Sequence, residues 1–350
     1  MDELNTLIFR TDRIGDFIIS SPFILSYKKK FKDNKITLIS SEYNYNYIKN
    51  FKFVNKIFPL KNEIKFFRKI IVLFKMIILL RKTKYSNIII LDGKNRSFFI
   101  SLFLKGKKSI LLQSRNLEFL SKIFNYKRVF NYEIQNQLKN FSFLASNLDF
   151  NIDLKNVDIY KDHFFLNEDK INSKYITIHL DEKWFTKYYY KDFTDINPTS
   201  DQLEIFIKKI FKALDEKYNI VITTGAKKLD VLKDYTKNFI RINENKFEKK
   251  INDNKIIFIS ECSFNDLEII IKNSSFLICC EGGVSHVSHN MNIKTIAFFE
   301  KNRIQHTHFW TSHMKNLTLF ERKDMHRIIN DNKLAQYSSI VIALGAPSAF

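Results

Sequence analysis

Short apolar runs of three to six residues, rich in Ile, Leu, Val and Phe, alternate along this chain with segments long enough for helices. In the first half the runs lie at 4–9 (LNTLIF), 36–40 (ITLIS), 56–58, 87–91 (NIIIL) and 109–112, with helix-like segments at 17–31, 43–50, 62–82, 95–104 and 133–147. A second series follows at 175–180 (YITIHL), 219–223, 256–259, 276–280 (FLICC) and 294–299, separated by 201–217, 227–237, 264–273 and 284–292. Strands that are apolar throughout are covered on both faces, and crossover helices that cover both faces join parallel strands. The expectation is an α/β protein with two doubly wound parallel sheets. The acidic, Asn-rich stretch 149–170 is the expected linker, giving domains of 1–160 and 161–333. The last 17 residues, LAQYSSIVIALGAPSAF, carry neither charge nor Asn and read as a tail over 334–350.

Composition narrows the class further. A hydrophobic content of 45% over 350 residues is that of a folded chain with room for two cores. The three cysteines, Cys262, Cys279 and Cys280, form no CxxC pair, which fits a reducing compartment and offers no zinc site. The acidic start MDELNTLIFR runs directly into a strand and does not read as a signal peptide. No period of 20–50 residues recurs, which excludes solenoids and propellers.

The net charge of +20 is unevenly spread: residues 61–130 hold 17 Lys and Arg against 3 Asp and Glu, a net of +14. That segment reads as a basic surface facing something anionic. Within it KFFRKIIVLFKMIILLRKTKY (65–85) is no membrane span, because Lys75 splits its apolar run far short of the roughly 20 residues a bilayer needs. Arg68, Lys75 and Lys82 recur every seven residues, as one helix face would. Two readings stand: a core helix with a solvated basic stripe, or an interfacial helix touching anionic lipid.

Only seven glycines occur, and three of them fall in RTDRIGD (10–16) and CCEGGVSH (279–286), each after an apolar run and before a helix-like segment. Such strand-to-helix turns collect backbone N–H donors beside the positive end of a helix dipole. In the first, Asp16 follows Gly15 and either serves as a proton acceptor at the mouth of a sheet or caps a helix. Arg13 is either an anion contact or a surface residue. In the second, Gly282 and Gly283 precede Ser285 and His286, a cradle suited to a diphosphate. Neither a Walker A sequence nor GxGxxG is present. His286 and His289 lack a carboxylate at ligand spacing, so no metal is expected.

Taken together, RIGDFIISSPFILSYKKKF, KITLISSEYNYNYIKNFKFVNKIF, LLRKTKYSNIIILDGKNRSFFISLFL and NDLEIIIKNSSFLICCEGGVSHVSHNMNIKTIAFFEKNRIQHTHFW resemble, in that order, segments of glycosyltransferase family 9, the lipopolysaccharide heptosyltransferases. The resemblance covers roughly residues 4–320. It implies a GT-B fold, with two Rossmann-like domains facing across a cleft, the acceptor on the N-terminal one and the nucleotide sugar on the C-terminal one. It implies inverting, metal-independent transfer without a cofactor, the nucleotide-diphosphate sugar being a co-substrate. Asp16 takes the place of the family's base, and Lys183, ahead of Trp184, that of its phosphate-contacting lysine. Gly283 and His286 match the donor motif, Glu281 stands in place of its Asp, and Gly282 stands where Thr or Ser is usual. Arg13, Asp92 and Arg96 are the expected acceptor contacts. The implied partners are a nucleotide sugar and an anionic glycolipid, with 61–130 resting on the inner face of the cytoplasmic membrane and no nucleic acid involved. A catalytically silent relative, or a basic protein binding nucleic acid or an anionic surface, is the alternative. The Tyr188–Tyr190 run in the loop Lys187–Pro198, and the longer carboxylate of Glu281, point to a sugar or acceptor different from the family's usual ones.

Overall fold

The computed structural model describes residues 4–62, 65–112, 117–130, 136–152, 174–184, 200–213, 218–225 and 230–322. It divides into two compact units, one within Met1–Phe165 together with His308–His313, the other within Leu166–Thr307 and Met314–Phe350. The expected boundary at 160, most of the linker, the tail and the loop Lys187–Pro198 lie outside the described residues.

The first unit runs β1 (Asn5–Arg10), α1 (Ile14–Lys30), β2 (Lys35–Ser41), α2 (Glu42–Ile48), β3 (Lys56–Leu60), α3 (Phe66–Leu80), β4 (Asn87–Ile90), α4 (Asn95–Leu102), β5 (Lys107–Leu112), α5 (Glu118–Ile123), β6 (Lys127–Phe130) and α6 (Gln137–Ser146). Its sheet is parallel throughout, ordered β3-β2-β1-β4-β5-β6. The central strands are buried on both faces, as their unbroken apolar sequences require: Leu7, Ile8 and Phe9 of β1 and Ile88, Ile89 and Ile90 of β4 have no exposed surface. Met76, Ile77 and Leu80 of α3 join Phe98 and Ile100 of α4 in the core on one side of the sheet. On α1, Phe23 packs against Phe141 of α6, and Phe17 against Tyr47 of α2.

Helix α1 starts earlier than the pattern suggests, at Ile14, and Pro22 lies inside it, as it does in the expected segment. A proline cannot donate to the carbonyl one turn back. The Ser21 hydroxyl, 2.5 Å away, supplies that bond to Ile18 instead. This explains why the IISSPF segment stays helical.

The second unit runs β7 (Tyr175–Leu180), α7 (Ser200–Ala213), β8 (Asn219–Thr224), α8 (Asp230–Thr236), β9 (Ile240–Arg241), β10 (Lys246–Ile251), β11 (Asn254–Ile259), α9 (Phe264–Lys272), β12 (Leu277–Cys280), α10 (Gly283–Asn290), β13 (Thr295–Phe299), α11 (Ile304–Thr311, grouped with the first unit from His308 on) and β14 (Leu317–Glu321). Its sheet is ordered β14-β13-β12-β7-β8-β11-β10-β9. Six strands are parallel, whereas β10 pairs antiparallel with both β11 and β9. The sheet is therefore mixed where a parallel one was expected. β9 is the edge strand of this hairpin extension, and the neighbouring β10, KFEKKI, which β9 pairs only at Phe247 and Glu248, is rich in the lysines that keep open strand edges soluble.

Without that hairpin both sheets share one topology: the first strand lies centrally, the next two extend one way, and the fourth, fifth and sixth the other. The order reverses between β1 and β4 in one unit and between β7 and β12 in the other. In open α/β sheets the crevice for ligands opens beyond the C-terminal ends of the strands at that reversal.

Candidate functional site

At the first reversal, between β1 and β4, the chain leaves β1 as Arg10-Thr11-Asp12-Arg13. Arg10 has no exposed surface. Its guanidinium donates to the carbonyl oxygens of Asp16 (2.8 Å) and Leu91 (2.8 Å), lies 3.1 Å from Asp12 Oδ2, and stacks 5.6 Å from the Phe141 ring. One buried cation thus ties the ends of β1 and β4 to the start of α1. Its own desolvation cost is offset only because every direction it points in holds an acceptor.

Asp16 is the third residue of α1, half-buried, and its Oδ2 accepts the backbone N–H of Arg13 at 3.0 Å. The carboxylate therefore caps the helix and leaves its other oxygen for a second partner. The two readings of Asp16, cap and proton acceptor, are compatible in this geometry. Gly15 is not at the turn but inside the first helical turn. Arg13 is exposed, and among the described residues its guanidinium has no partner.

Asp92 was expected to face an acceptor. The structure buries it completely and uses its carboxylate in four hydrogen bonds, from Thr11 N–H (3.1 Å), Thr11 Oγ1 (2.5 Å), Ser97 Oγ (2.7 Å) and Lys94 N–H (3.2 Å). It clamps the end of β1 to the loop before α4. Gly93, with φ 56°, supplies the left-handed turn that lets the chain fold back over that carboxylate. Arg96 is half-buried and grips the same point, its Nε donating to Thr11 Oγ1 at 3.1 Å and its Nη1 reaching Asn62 Oδ1 at 3.4 Å, while Lys94 Nζ donates to Thr11 O at 3.3 Å.

Asp12, which the sequence reading did not single out, is the most perturbed carboxyl here. Its Oδ1 is buried with no hydrogen-bond partner among the described residues. Burial pushes its pKa up from 3.8 to about 7; Arg10 opposes this, and the negative charges of Asp16 and Asp92 reinforce it. A carboxyl that titrates near neutrality beside a second carboxylate is the electrostatic pattern of proton-handling sites.

At the second reversal, between β7 and β12, a 3-10 turn (Glu182–Trp184) follows β7. Trp184 anchors it: the indole N–H donates to His179 O at 2.9 Å, and the ring packs edge-on against Phe206 and Phe298. Asp181 Oδ1 accepts the Lys183 N–H at 3.1 Å. These contacts aim Lys183 across to the end of β12, where its ammonium donates to Glu281 O. A Cβ on Gly282 would lie 2.5 Å from that ammonium. Gly282 has φ 162°, an extended backbone any residue adopts. Glycine is needed here to give the lysine room, not to permit a turn.

Helix α10 begins at Gly283, whose N–H is one of the donors a helix start leaves unpaired. Ser285 and His286 were expected to reach the diphosphate with their side chains. Ser285 is fully buried and its hydroxyl donates to Gly282 O at 2.7 Å, closing the turn; His286 is only 6% exposed. The Ser285 hydroxyl also accepts the Gly282 N–H at 3.3 Å. What the site presents is the α10 N-terminus, the Lys183 ammonium and the half-exposed Glu281 carboxylate, which accepts no hydrogen bond from a described residue.

Two further buried groups support this end. Arg322, at the close of β14, donates to Lys183 O (2.7 Å) and Cys280 Sγ (3.0 Å) and lies 3.8 Å from Glu300 Oε1. His179 bonds Thr223 Oγ1 at 3.0 Å, and its pKa is lowered to about 4 by burial and then by the Lys183 charge, so its imidazole is neutral at physiological pH. Among the described residues no three His, Cys, Asp or Glu side chains gather as a metal site would. His308 and His313 group with the first unit, where Asn136 donates to Ser312 Oγ at 2.6 Å.

This architecture is that of known enzymes acting on nucleotide sugars. The chain is similar to E. coli heptosyltransferase WaaC, solved with ADP-2-deoxy-2-fluoro heptose, at a TM-score of 0.69 and 14% identity, covering 96% of this chain and 99% of that one. The glycosyl transferase family 9 structure from Veillonella parvula follows at 0.63 and 14%, covering 95% and 90%. A putative UDP-N-acetylglucosamine 2-epimerase from Listeria monocytogenes gives 0.59 and 9%, covering 97% and 88%. No protein-family model and no curated protein matches the sequence. Likeness at these identities establishes the fold, which is GT-B. Among proteins of that fold, the heptosyltransferases to which the sequence motifs pointed are also structural neighbours over nearly the whole length of this chain.

Proposed function

We propose that the protein is a glycosyltransferase that moves a sugar, heptose or a relative of it, from a nucleotide-diphosphate donor to an anionic surface-glycan acceptor with inversion at the anomeric carbon. The observation that carries this reading is the pair of sheet reversals with opposite chemistry: carboxyl groups at β1/β4, and a lysine set over a helix N-terminus at β7/β12. Support comes from the GT-B fold and from structural neighbours solved with ADP and with an ADP-heptose analogue.

In this mechanism Asp16 accepts the proton of the acceptor hydroxyl as that oxygen attacks the anomeric carbon. The carboxylate is held ready by the Arg13 N–H, and Arg10 fixes the backbone carbonyl of the same residue. The departing diphosphate gathers negative charge, which Lys183 and the α10 N-terminus stabilise; they do so without a metal ion. Arg13 and Arg96 offer positive charge to an anionic acceptor. Glu281, with its free carboxylate, accepts hydrogen bonds from donor hydroxyls.

The test is a panel of nucleotide-diphosphate sugars offered to the purified protein, read by calorimetry and by slow donor hydrolysis. A donor that binds and is hydrolysed supports the reading. Silence across ADP-, GDP- and UDP-sugars, with tight binding of a random oligonucleotide, overturns it.

A further inference from the structure

Helix α3 shows water an unusual face. Of its fifteen residues only Met76, Ile77 and Leu80 are buried. Phe67 (79% exposed), Ile71, Phe74 and Ile78 (63%) recur at helical spacing and form one outward apolar stripe. Phe74 continues it onto α4 through Phe103, whose ring centroid is 6.4 Å away and which is itself exposed. In all, eleven of the eighteen large apolar side chains exposed among the described residues fall between Phe66 and Phe124. Concentration on this scale marks an interaction site.

The charges around the stripe decide the partner. At 100° per residue Arg68 and Lys75, both exposed, lie directly beside Phe67, Ile71 and Ile78, and exposed Lys82 follows in the turn after the helix. Beyond the end of α3, Lys82 and Lys84 line an open cavity of about 440 Å³ with Lys35 and Lys56, and no carboxylate lines it. An apolar stripe flanked by cations on one helix is the arrangement that lies in a bilayer surface, with rings among acyl chains and ammonium groups among phosphates. A protein partner would be served by the stripe but would leave this carboxylate-free row unmatched. No described helix is long and apolar enough to cross the membrane, so a surface mode is the one available to α3.

We infer that the outer face of α3, extended by Phe103, docks the protein on an anionic lipid bilayer, the stripe Phe67/Ile71/Phe74/Ile78 entering the interface and Arg68, Lys75 and Lys82 pairing with headgroup phosphates. This rests on the surface alone and stands or falls independently of the transferase reading.

The experiment is flotation of the full-length protein with vesicles of phosphatidylcholine alone and of phosphatidylcholine with 30% phosphatidylglycerol, at low and high salt. The protein is expected to float with the anionic vesicles, and raised salt is expected to weaken this. Removing two charges with Arg68→Gln/Lys75→Gln is expected to weaken partitioning about tenfold or more. Phe67→Ser/Ile71→Ser, at exposed positions that leave the fold intact by circular dichroism, is expected to do the same and to remain weak at every salt concentration. Equal flotation with both vesicle types, or no loss in either double variant, overturns the proposal. So does a dimer in sedimentation that Phe67→Ser/Ile71→Ser dissociates while vesicles fail to bind, since the stripe then faces a second copy.

Discussion

The two sheet reversals have the same topology and are built from opposite materials. At β1/β4 the site consists of side chains: buried Arg10 donates to the Asp16 carbonyl and lies beside Asp12, Thr11 and Ser97 hold Asp92, and burial, with Asp16 and Asp92 nearby, raises the Asp12 pKa. At β7/β12 it is mainly backbone, a glycine turn and a helix start with one lysine laid over them. A dense set of titratable groups can take and release protons, whereas N–H groups fixed in a turn bind an anion without changing charge. Under the proposed function one fold supplies two chemistries, and breaking each end separately tests the division.

The largest expected effect is a crossed pair. Asp16→Asn keeps an acceptor for the Arg13 N–H but loses the base, so transfer should fall by about 10²–10⁴-fold while donor affinity stays unchanged. Lys183→Met should do the reverse at the binding step, weakening nucleotide-diphosphate affinity about 10- to 100-fold through loss of a charged donor. Steady-state rates with donor calorimetry on both variants make the measurement. If Asp16→Asn weakens donor binding as strongly as Lys183→Met does, the division between the ends is wrong.

A smaller effect separates the ends by pH. The folded state holds the Asp12 carboxyl at about 7 against 3.8, mainly through burial. The folded form therefore binds this proton more tightly than the unfolded chain. Its contribution to stability is complete below about pH 4, declines as pH rises, and is gone above about pH 7. Asn keeps the neutral form at every pH, so the urea midpoints of wild type and Asp12→Asn should lie nearest each other below about pH 4 and separate as pH rises towards about 7, wild type losing stability relative to the variant. A difference that is flat from pH 4 to 8 would show that Asp12 is ionised throughout.

The sequence exposes these ends unequally, for physical reasons. β1, β2, β4, β7, β8 and β11–β13 are legible to within about two residues, because burial on both faces makes a strand apolar throughout. β9–β10 is not, because an edge hairpin keeps its lysines and half-polar pattern; only Asn252, at φ 52°, marks the turn between β10 and β11. Asp16, Lys183 and the glycine turn are legible from motif order. Arg10, Asp12 and Arg322 are not, since in sequence a buried charge looks like a surface one. Burial comes from strands set side by side by topology, and the one local hint is four charged residues, Arg10, Asp12, Arg13 and Asp16, crowded directly after an apolar strand. The sequence shows the place of Asp92 and Ser285 at strand ends, not that neighbouring donors and acceptors already occupy them.

The finest test concerns Gly282. If glycine were needed for backbone conformation, alanine there would strain the turn and cost stability whatever lies opposite. At φ 162° it should not. The new methyl meets only the Lys183 ammonium, at 2.5 Å, the far end of a flexible side chain. Gly282→Ala should therefore leave the melting temperature nearly unchanged and weaken donor binding a few-fold, by displacing the lysine. The sharper form is a double-mutant cycle. With Lys183 already replaced by Met, which carries no ammonium at that point, adding Gly282→Ala should change donor affinity by no more than the roughly 0.5 kcal/mol within which independent effects are resolved. A full, additive loss in the Lys183→Met background would mean that the methyl blocks the diphosphate itself, and that the backbone of this end touches the ligand more closely than its lysine does.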